Sequence, residues 1–319
     1  VMQYRRLGTC GLKVSEISLG SWLTYGGSID QDQAEAIIDQ AYELGINFFD
    51  TANVYHEGAA EEIVGKALAK YERSSYVLAT KVYFEMGEGP NDRGLSRKHI
   101  IEQCEASLKR LGTDYIDLYQ CHRYDSEAPL EETLRALDDL VTQGKVLYVG
   151  VSSWEANHIA DAVHTARQCN LDRIVSNQPH YNMLDRSIEK DVFPLCEQEG
   201  IGQVVYCPLA QGVLTGKYKP GAPAPEGTRA SDASTNMFME SFMQDHYLRK
   251  VKRLHSIADR NGISMPQLAL AWILRHGIIS SCIIGATRPE QVIENSKASG
   301  VKLSPEDLKE IELILKEET

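Results

Sequence analysis

Short apolar runs alternate with longer amphipathic stretches along most of the chain. The runs at residues 17–22, 46–52, 76–82, 116–121, 146–152, 174–178, 203–207 and 281–285 have the length and near-continuous hydrophobicity of strands buried on both faces. Helices are predicted between them at residues 31–44, 59–71, 96–111, 130–143, 155–168, 188–199, 247–261 and 289–298. In the first of these, Ala34, Ile37, Ile38, Ala41 and Leu44 fall on one face at helical spacing. Ser96 has the side chain and place of an N-cap. Gly45, Gly144 and Gly200 each end a helix just before a strand, where a left-handed C-cap is wanted. Alternating units of this kind predict a parallel α/β barrel of the TIM type, with residues 1–319 as a single domain. Three additions account for the length beyond a minimal barrel. Residues 4–14 read as an N-terminal hairpin. Residues 210–242 form a connection too long for an ordinary strand–helix loop, and residues 264–276 and 305–316 are extra helices.

The polar residues that interrupt this pattern are concentrated where strands end. Asp50, Lys81 and His122 close three successive apolar runs, and Tyr55 follows Asp50 by five positions. In a parallel barrel those ends share one face, which carries the chemistry. A phenol titrates near ~10 and is a poor acid at neutral pH. An ammonium beside it favours the phenolate, and a carboxylate fixes the ammonium. The set is suited to protonating an oxygen while a nucleophile attacks the adjoining carbon.

Composition narrows the field. With 319 residues and 43% hydrophobic positions, the chain can build a large core. A net charge of -12 argues against bulk electrostatic attraction to nucleic acid or to an anionic membrane. No apolar run approaches the ~20 residues of a membrane span, and no signal-peptide core follows the N-terminus. Seven cysteines, odd in number and scattered, predict a reducing cytoplasmic setting without a disulfide framework. No zinc-ligand spacing is present, so no metal is expected. A metal-dependent barrel lyase or hydrolase would need His and carboxylate clusters at several strand ends, and the sequence lacks them.

The segments Asp50-Thr51-Ala52-Asn53-Val54-Tyr55, Thr80-Lys81, Ser107-Leu108-Lys109-Arg110-Leu111, the 115–122 run ending in His122, Gly150-Val151-Ser152-Ser153-Trp154 and Asn177-Gln178-Pro179-His180-Tyr181-Asn182 together resemble the aldo-keto reductases. The matches run in order from Tyr4 to Asn295. The resemblance implies hydride transfer between a nicotinamide cofactor and a small carbonyl substrate. Tyr55 would be the general acid, Lys81 would lower its pKa, Asp50 would hold Lys81, and His122 would orient the carbonyl.

The same resemblance implies cofactor contacts. Ser152, Ser153 and Gln178 match residues that bind the carboxamide, and Tyr206 matches an aromatic stacked on the nicotinamide. Cys207, Pro208, Leu209, Ala210, Gly212 and Lys217 lie in a stretch resembling the pyrophosphate loop. Gly285, Thr287, Arg288, Gln291, Glu294 and Asn295 match the adenosine end, while Ser21, Trp22 and Asp50 border the ring. Arg288 beside a helix N-terminus would pair with a 2′-phosphate, which favours NADPH over NADH. No GxGxxG follows a strand, so a Rossmann site is not indicated. Trp22, Tyr83, Arg123 and Trp154 are the expected substrate-side residues.

Arg93-Gly94-Leu95-Ser96-Arg97-Lys98-His99, Pro129-Leu130-Glu131-Glu132-Thr133 and Tyr4-Arg5-Arg6-Leu7-Gly8 resemble the branch that holds potassium-channel β subunits and bacterial aldehyde-reductase relatives. That branch often forms cyclic tetramers or larger rings, so a homo-oligomer is implied. Channel subunits usually carry Asn where this chain has His122, a departure that favours a working reductase over a redox-sensing accessory protein.

Overall fold

The computed structural model describes residues 1–317 apart from 23, 28, 234, 235 and 237, so part of the expected 210–242 connection lies outside the described residues. A hairpin of β1 (Tyr4–Arg6) and β2 (Lys13–Ser15) comes first. The barrel strands are β3 (Ile17–Gly20), β4 (Phe48–Asp50), β5 (Val77–Val82), β6 (Ile116–Cys121), β7 (Val146–Ser152), β8 (Ile174–Gln178), β9 (Gly202–Val205) and β10 (Ile279–Ile284). They are all parallel and close on themselves, with β10 bonded to both β9 and β3. Between and after them run α1 (Gln31–Glu43), α2 (Ala59–Leu68), α3 (Arg97–Leu111), α4 (Leu130–Thr142), α5 (Ala156–Cys169), α6 (Val192–Glu199), α7 (Asp245–Arg260), α8 (Met265–Leu274), α9 (Pro289–Ser296) and α10 (Pro305–Lys316). The result is a (β/α)8 TIM barrel with an N-terminal hairpin and two extra helices, α8 and α10.

The predicted elements are present with shifted ends, and the shifts have physical causes. The 46–52 run contracts to Phe48–Asp50, yet Thr51 N still donates to Ala79 O and Asn53 N to Lys81 O. Strand 281–285 instead begins at Ile279, because Ser280 and Ser281 break the apolar pattern. Their hydroxyls donate to Arg6 O and Ser15 O and tie β10 to the hairpin. Helix 188–199 starts at Val192 after a single 3-10 turn over Ser187–Glu189. Every residue of α8 is buried, which is why it reads as apolar all round.

Two cores follow from the strict alternation of side chains along each strand. Outward-facing Phe49, Leu78 and Tyr119 pack under the helices. Inward-facing Phe48, Ala79, Leu118 and Ile283 fill the barrel with Leu7 and Val14 of the hairpin. The hairpin thus plugs the N-terminal end of the barrel and leaves the opposite end open. Its tip allows only glycine at position 8, where φ is 61° and a Cβ would lie 2.2 Å from Gly200 O.

Candidate active site

The parity that puts Phe48 inside the barrel puts Asp50 inside as well, two residues nearer the strand end. Lys81 follows Ala79 in the same way and Gln120 follows Leu118, with Lys81 opposite Gln120 in the ladder. An apolar plug therefore gives way to a polar layer at the C-terminal mouth. Tyr55 reaches this layer from the 3-10 turn Tyr55–Gly58 after β4. The next two residues, His56 and Glu57, are held at φ 47° and 55°, a costly left-handed conformation for side-chain-bearing residues. His122 lies one residue beyond β6, its backbone N bonded to Val82 O at 2.9 Å.

The four predicted residues meet. Lys81 is 0% exposed and its Nζ donates to Asp50 Oδ2 at 2.5 Å, to Thr51 O at 2.9 Å and to Tyr55 OH at 3.3 Å. Asp50 Oδ1 accepts from Gln178 Nε2 at 2.9 Å and from Gln120 Nε2 at 3.2 Å. His122 stands edge-on to Tyr55, ring centroids 5.7 Å apart, and Phe84 closes its other side at 4.9 Å. Burial opposes the charge on Lys81, but Asp50 and Tyr55 outweigh it and hold the ammonium above its usual value. Burial, followed by Lys81 and Arg123, drives His122 well below 6.5, so the imidazole is neutral at pH 7. Tyr55 departs from expectation. Lys81 does pull its pKa down, yet burial pushes harder the other way and the phenol lies above 10.

Above this layer opens a cavity of about 1510 Å³. That exceeds the ~300–1,000 Å³ of a site for one drug-sized ligand. Asp50, Tyr55 and His122 lie in its wall, with Lys81 buried behind them. Of the predicted cofactor residues, Ser21, Trp22, Ser152, Gln178 and Tyr206 line it. So do Cys207, Pro208, Leu209, Gly212 and Lys217 of the long connection. Gly285, Thr287, Arg288, Gln291, Glu294 and Asn295 line the side where α9 begins. Ala210 is buried beneath its loop, and Ser153 sits beside the wall with its Oγ 3.2 Å from Tyr206 OH. Gln291 Oε1 accepts from Thr287 N at 2.7 Å and braces the turn that carries Arg288.

The expected substrate-side residues divide. Trp22 and Arg123 line the cavity. Tyr83 lies outside the wall, where its neighbour Phe84 takes the place. Trp154 is 2% exposed and packs edge-on against Tyr124 at 5.0 Å, so the structure does not bring it to the cavity. Its position after a buried strand is the sequence sign of packing.

Several polar residues in or beneath the cavity wall are not marked as site residues by their sequence pattern. Gln120 sits inside an apolar strand, and only the alternation with Leu118 would have marked it as inward. His180, Asp185, Gln211 and Arg229 converge on the cavity from different connections. Among the described residues, no group of three or more His, Cys, Asp or Glu could hold a metal ion. Among the same residues, no helix is long and apolar enough to cross a membrane.

Comparison with known proteins agrees with this geometry. The model of the aldo/keto reductase family matches residues 16–316. A "Putative voltage-gated potassium channel subunit beta" of Schizosaccharomyces pombe is 46% identical over 98% of this chain and 93% of that protein. A "Probable voltage-gated potassium channel subunit beta" of Arabidopsis thaliana is 44% identical over 98% and 97%. One of the same name from Oryza sativa subsp. japonica is 42% identical over 98% and 97%. This chain belongs to the aldo/keto reductase family, oxidoreductases that bind nicotinamide cofactors and act on carbonyl compounds.

Proposed function

We propose that the protein reduces aldehydes or ketones to alcohols with NADPH, and that Tyr55 delivers the proton. The observation that carries this reading is Lys81 Nζ, buried and bonded to both Asp50 Oδ2 and Tyr55 OH on the floor of the cavity. A bound nicotinamide cofactor supplies the hydride. The carbonyl oxygen accepts hydrogen bonds from Tyr55 and from the neutral His122. Both bonds strengthen as negative charge develops on that oxygen. Tyr55 then gives up its proton, and Lys81 stabilises the phenolate left behind.

The cavity wall supports the cofactor assignment. Ser152, Ser153 and Gln178 offer polar groups for a carboxamide, and Tyr206 offers a ring face. The 207–217 loop offers backbone amides and Lys217 for a pyrophosphate. Gln211 Oε1 is buried there without a partner among the described residues, as expected of an atom that meets a ligand. Arg288 and the start of α9 suit a 2′-phosphate.

The names of the relatives favour a second reading, a cofactor-bound channel-accessory or redox-sensing subunit with little turnover. The same kinship supports a cyclic tetramer or larger ring, and the composition supports a cytoplasmic setting. The deciding experiment is a single-turnover measurement of NADPH oxidation with a panel of small aldehydes. Oxidation that is lost in Tyr55→Phe supports the reductase. Tight NADPH binding with no carbonyl-dependent oxidation supports the accessory role.

A further inference from the structure

We propose that Cys207 is a covalent modification site for γ-hydroxy α,β-unsaturated aldehydes, with His180 and Asp185 as its activating pair and Gln211 as the group that recognises the hydroxyl. Cys207, His180, Asp185 and Gln211 all lie in the wall of the large cavity. His180 Nδ1 is 2.8 Å from Asp185 Oδ2, His180 is bridged to Tyr206, the residue before Cys207, and both His180 and Cys207 line the cavity. From the other side Gln211 Nε2 donates to Cys207 Sγ at 3.0 Å. A sulfur that receives an amide N–H and lies beside a carboxylate-held imidazole has the surroundings of a nucleophile. Tyr206 and Phe242 fix the imidazole, with ring centroids at 5.4 Å and 5.9 Å.

The charges agree with this arrangement. Burial opposes protonation of His180, but Asp185 and Cys207 outweigh it and raise the imidazole to about 9. The hydrogen bond from His180 holds Asp185 down at about 2. The imidazolium is thus a ready proton donor beside the sulfur. Burial pushes the thiols of Cys104, Cys121 and Cys196 up to about 12, which makes them poor nucleophiles.

A second observation specifies the ligand. Gln211 is 8% exposed, and its Oε1 has no hydrogen-bond partner among the described residues although Nε2 of the same amide touches Sγ. That acceptor suits a hydroxyl carried on the carbon next to the one Sγ attacks. A hydroxyl on the γ-carbon of an enal has this relation to the β-carbon. In the reaction Sγ forms a bond to the β-carbon and the C=C π pair moves to the α-carbon. The His180 imidazolium gives its proton to the α-carbon of the enolate so formed, and the proton that Sγ loses on forming its bond restores the imidazolium. No group leaves and nothing is oxidised or reduced, so no further reagent is needed.

The adduct would block the loop assigned above to the cofactor, a consequence that rests on that reading. The test treats the full-length protein with limiting crotonaldehyde or its γ-hydroxy analogue, fixes adducts with borohydride and maps each cysteine by mass spectrometry. Cys10 and Cys169, also half-buried, are internal references. The expected result is labelling of Cys207 about tenfold faster than either reference, a factor worth ~1.4 kcal/mol. His180→Gln should bring Cys207 down to the reference rate without changing the references. Gln211→Met should abolish the preference of Cys207 for the γ-hydroxy analogue. Equal labelling of the three cysteines, or an unchanged rate in His180→Gln, overturns the proposal. A wild-type protein that shows no γ-hydroxy preference at Cys207 overturns the role of Gln211. Fast labelling that saturating NADPH fails to slow contradicts the cofactor site and leaves the nucleophile standing.

Discussion

Replacing Lys81 by Met keeps the aliphatic stem and removes only the ammonium, so it separates what the charge does from what the packing does. The ammonium makes three hydrogen bonds and is fully buried, and Asp50 beside it is 3% exposed. Removing one partner of a buried ion pair costs ~3–5 kcal/mol because the other charge is stranded. Asp50 keeps donors from Gln178 and Gln120, which places the expected loss near the lower end, about 3 kcal/mol. Catalysis loses more directly. The bond from Nζ to Tyr55 OH is of the charge-assisted kind, worth ~1.5–3 kcal/mol, which is roughly ten- to a hundredfold in rate. The stranded Asp50 charge adds to this, since it raises the phenol's pKa. Urea unfolding reads the first effect and steady-state NADPH oxidation with an aldehyde reads the second. A variant as stable as the parent, with turnover within about threefold, would refute the buried pair and the Tyr55–Lys81 pairing together. A stability loss without a rate loss would make Lys81 a structural residue alone.

Three further outcomes are expected. Tyr55→Phe removes one oxygen from the site. It should abolish carbonyl reduction while leaving the NADPH dissociation constant within about twofold, measured by fluorescence quenching; near-normal turnover would remove Tyr55 from the acid's role. Arg288→Ala should raise the NADPH dissociation constant by roughly ten- to a hundredfold, the range of a lost charge-assisted bond of ~1.5–3 kcal/mol, and leave NADH nearly unchanged; an equal loss for both cofactors would limit Arg288 to supporting the turn before α9. The His180–Asp185 pair should stabilise the fold within a defined pH window. His180 is raised from 6.5 to about 9, so its contribution is complete below 6.5 and lost as pH rises through 9. Asp185 is lowered from 3.8 to about 2, so its contribution is complete above 3.8 and lost as pH falls through 2. The gap in melting temperature between wild type and His180→Gln should therefore be widest between pH 3.8 and 6.5 and shrink toward pH 9, as thermal scans at stepped pH would show.

The barrel was legible because most of its strands are buried, largely apolar runs and most helices carry a cap or an amphipathic face. Its defects mark where polar groups serve tertiary contacts. Ser280 and Ser281 hide the first half of β10 because their partners are backbone carbonyls of the distant hairpin. The polar layer at the barrel mouth was legible through residue type at strand ends, and the structure brings Asp50, Tyr55, Lys81 and His122 together. Gln120 was not, because an amide within an apolar run carries no sign of which partner it will find. Cys207 stood among the expected cofactor contacts, but its association with His180, Asp185 and Gln211 was illegible for a different reason. The four come from two connections, and Cys207 and Gln211 sit at φ 52° and 60°, a backbone state that side-chain type alone does not announce. Trp154 shows the converse, an aromatic just past a strand end whose ring packs against Tyr124 in the core under the helices.

The raised pKa of Tyr55 changes what the neighbouring ammonium is for. Acidifying the resting phenol would be a ground-state effect, and in this site burial more than cancels it. The phenol therefore stays protonated across the neutral range, which a proton donor for carbonyl reduction requires. Under the proposed function the ammonium would act later, on the phenolate that exists only after the proton has moved. It has stood 3.3 Å from that oxygen throughout, fixed by Asp50 and Thr51, so no reorganisation is needed as charge appears. An interaction stronger after proton transfer than before it is the kind that raises turnover. His122 fits the same logic. Burial, Lys81 and Arg123 keep it neutral, which under the proposed function would leave it a hydrogen-bond donor to the carbonyl oxygen and leave the proton to Tyr55. One protonated phenol and one neutral imidazole, both set by burial beside a fixed cation, are what the proposed reduction would need.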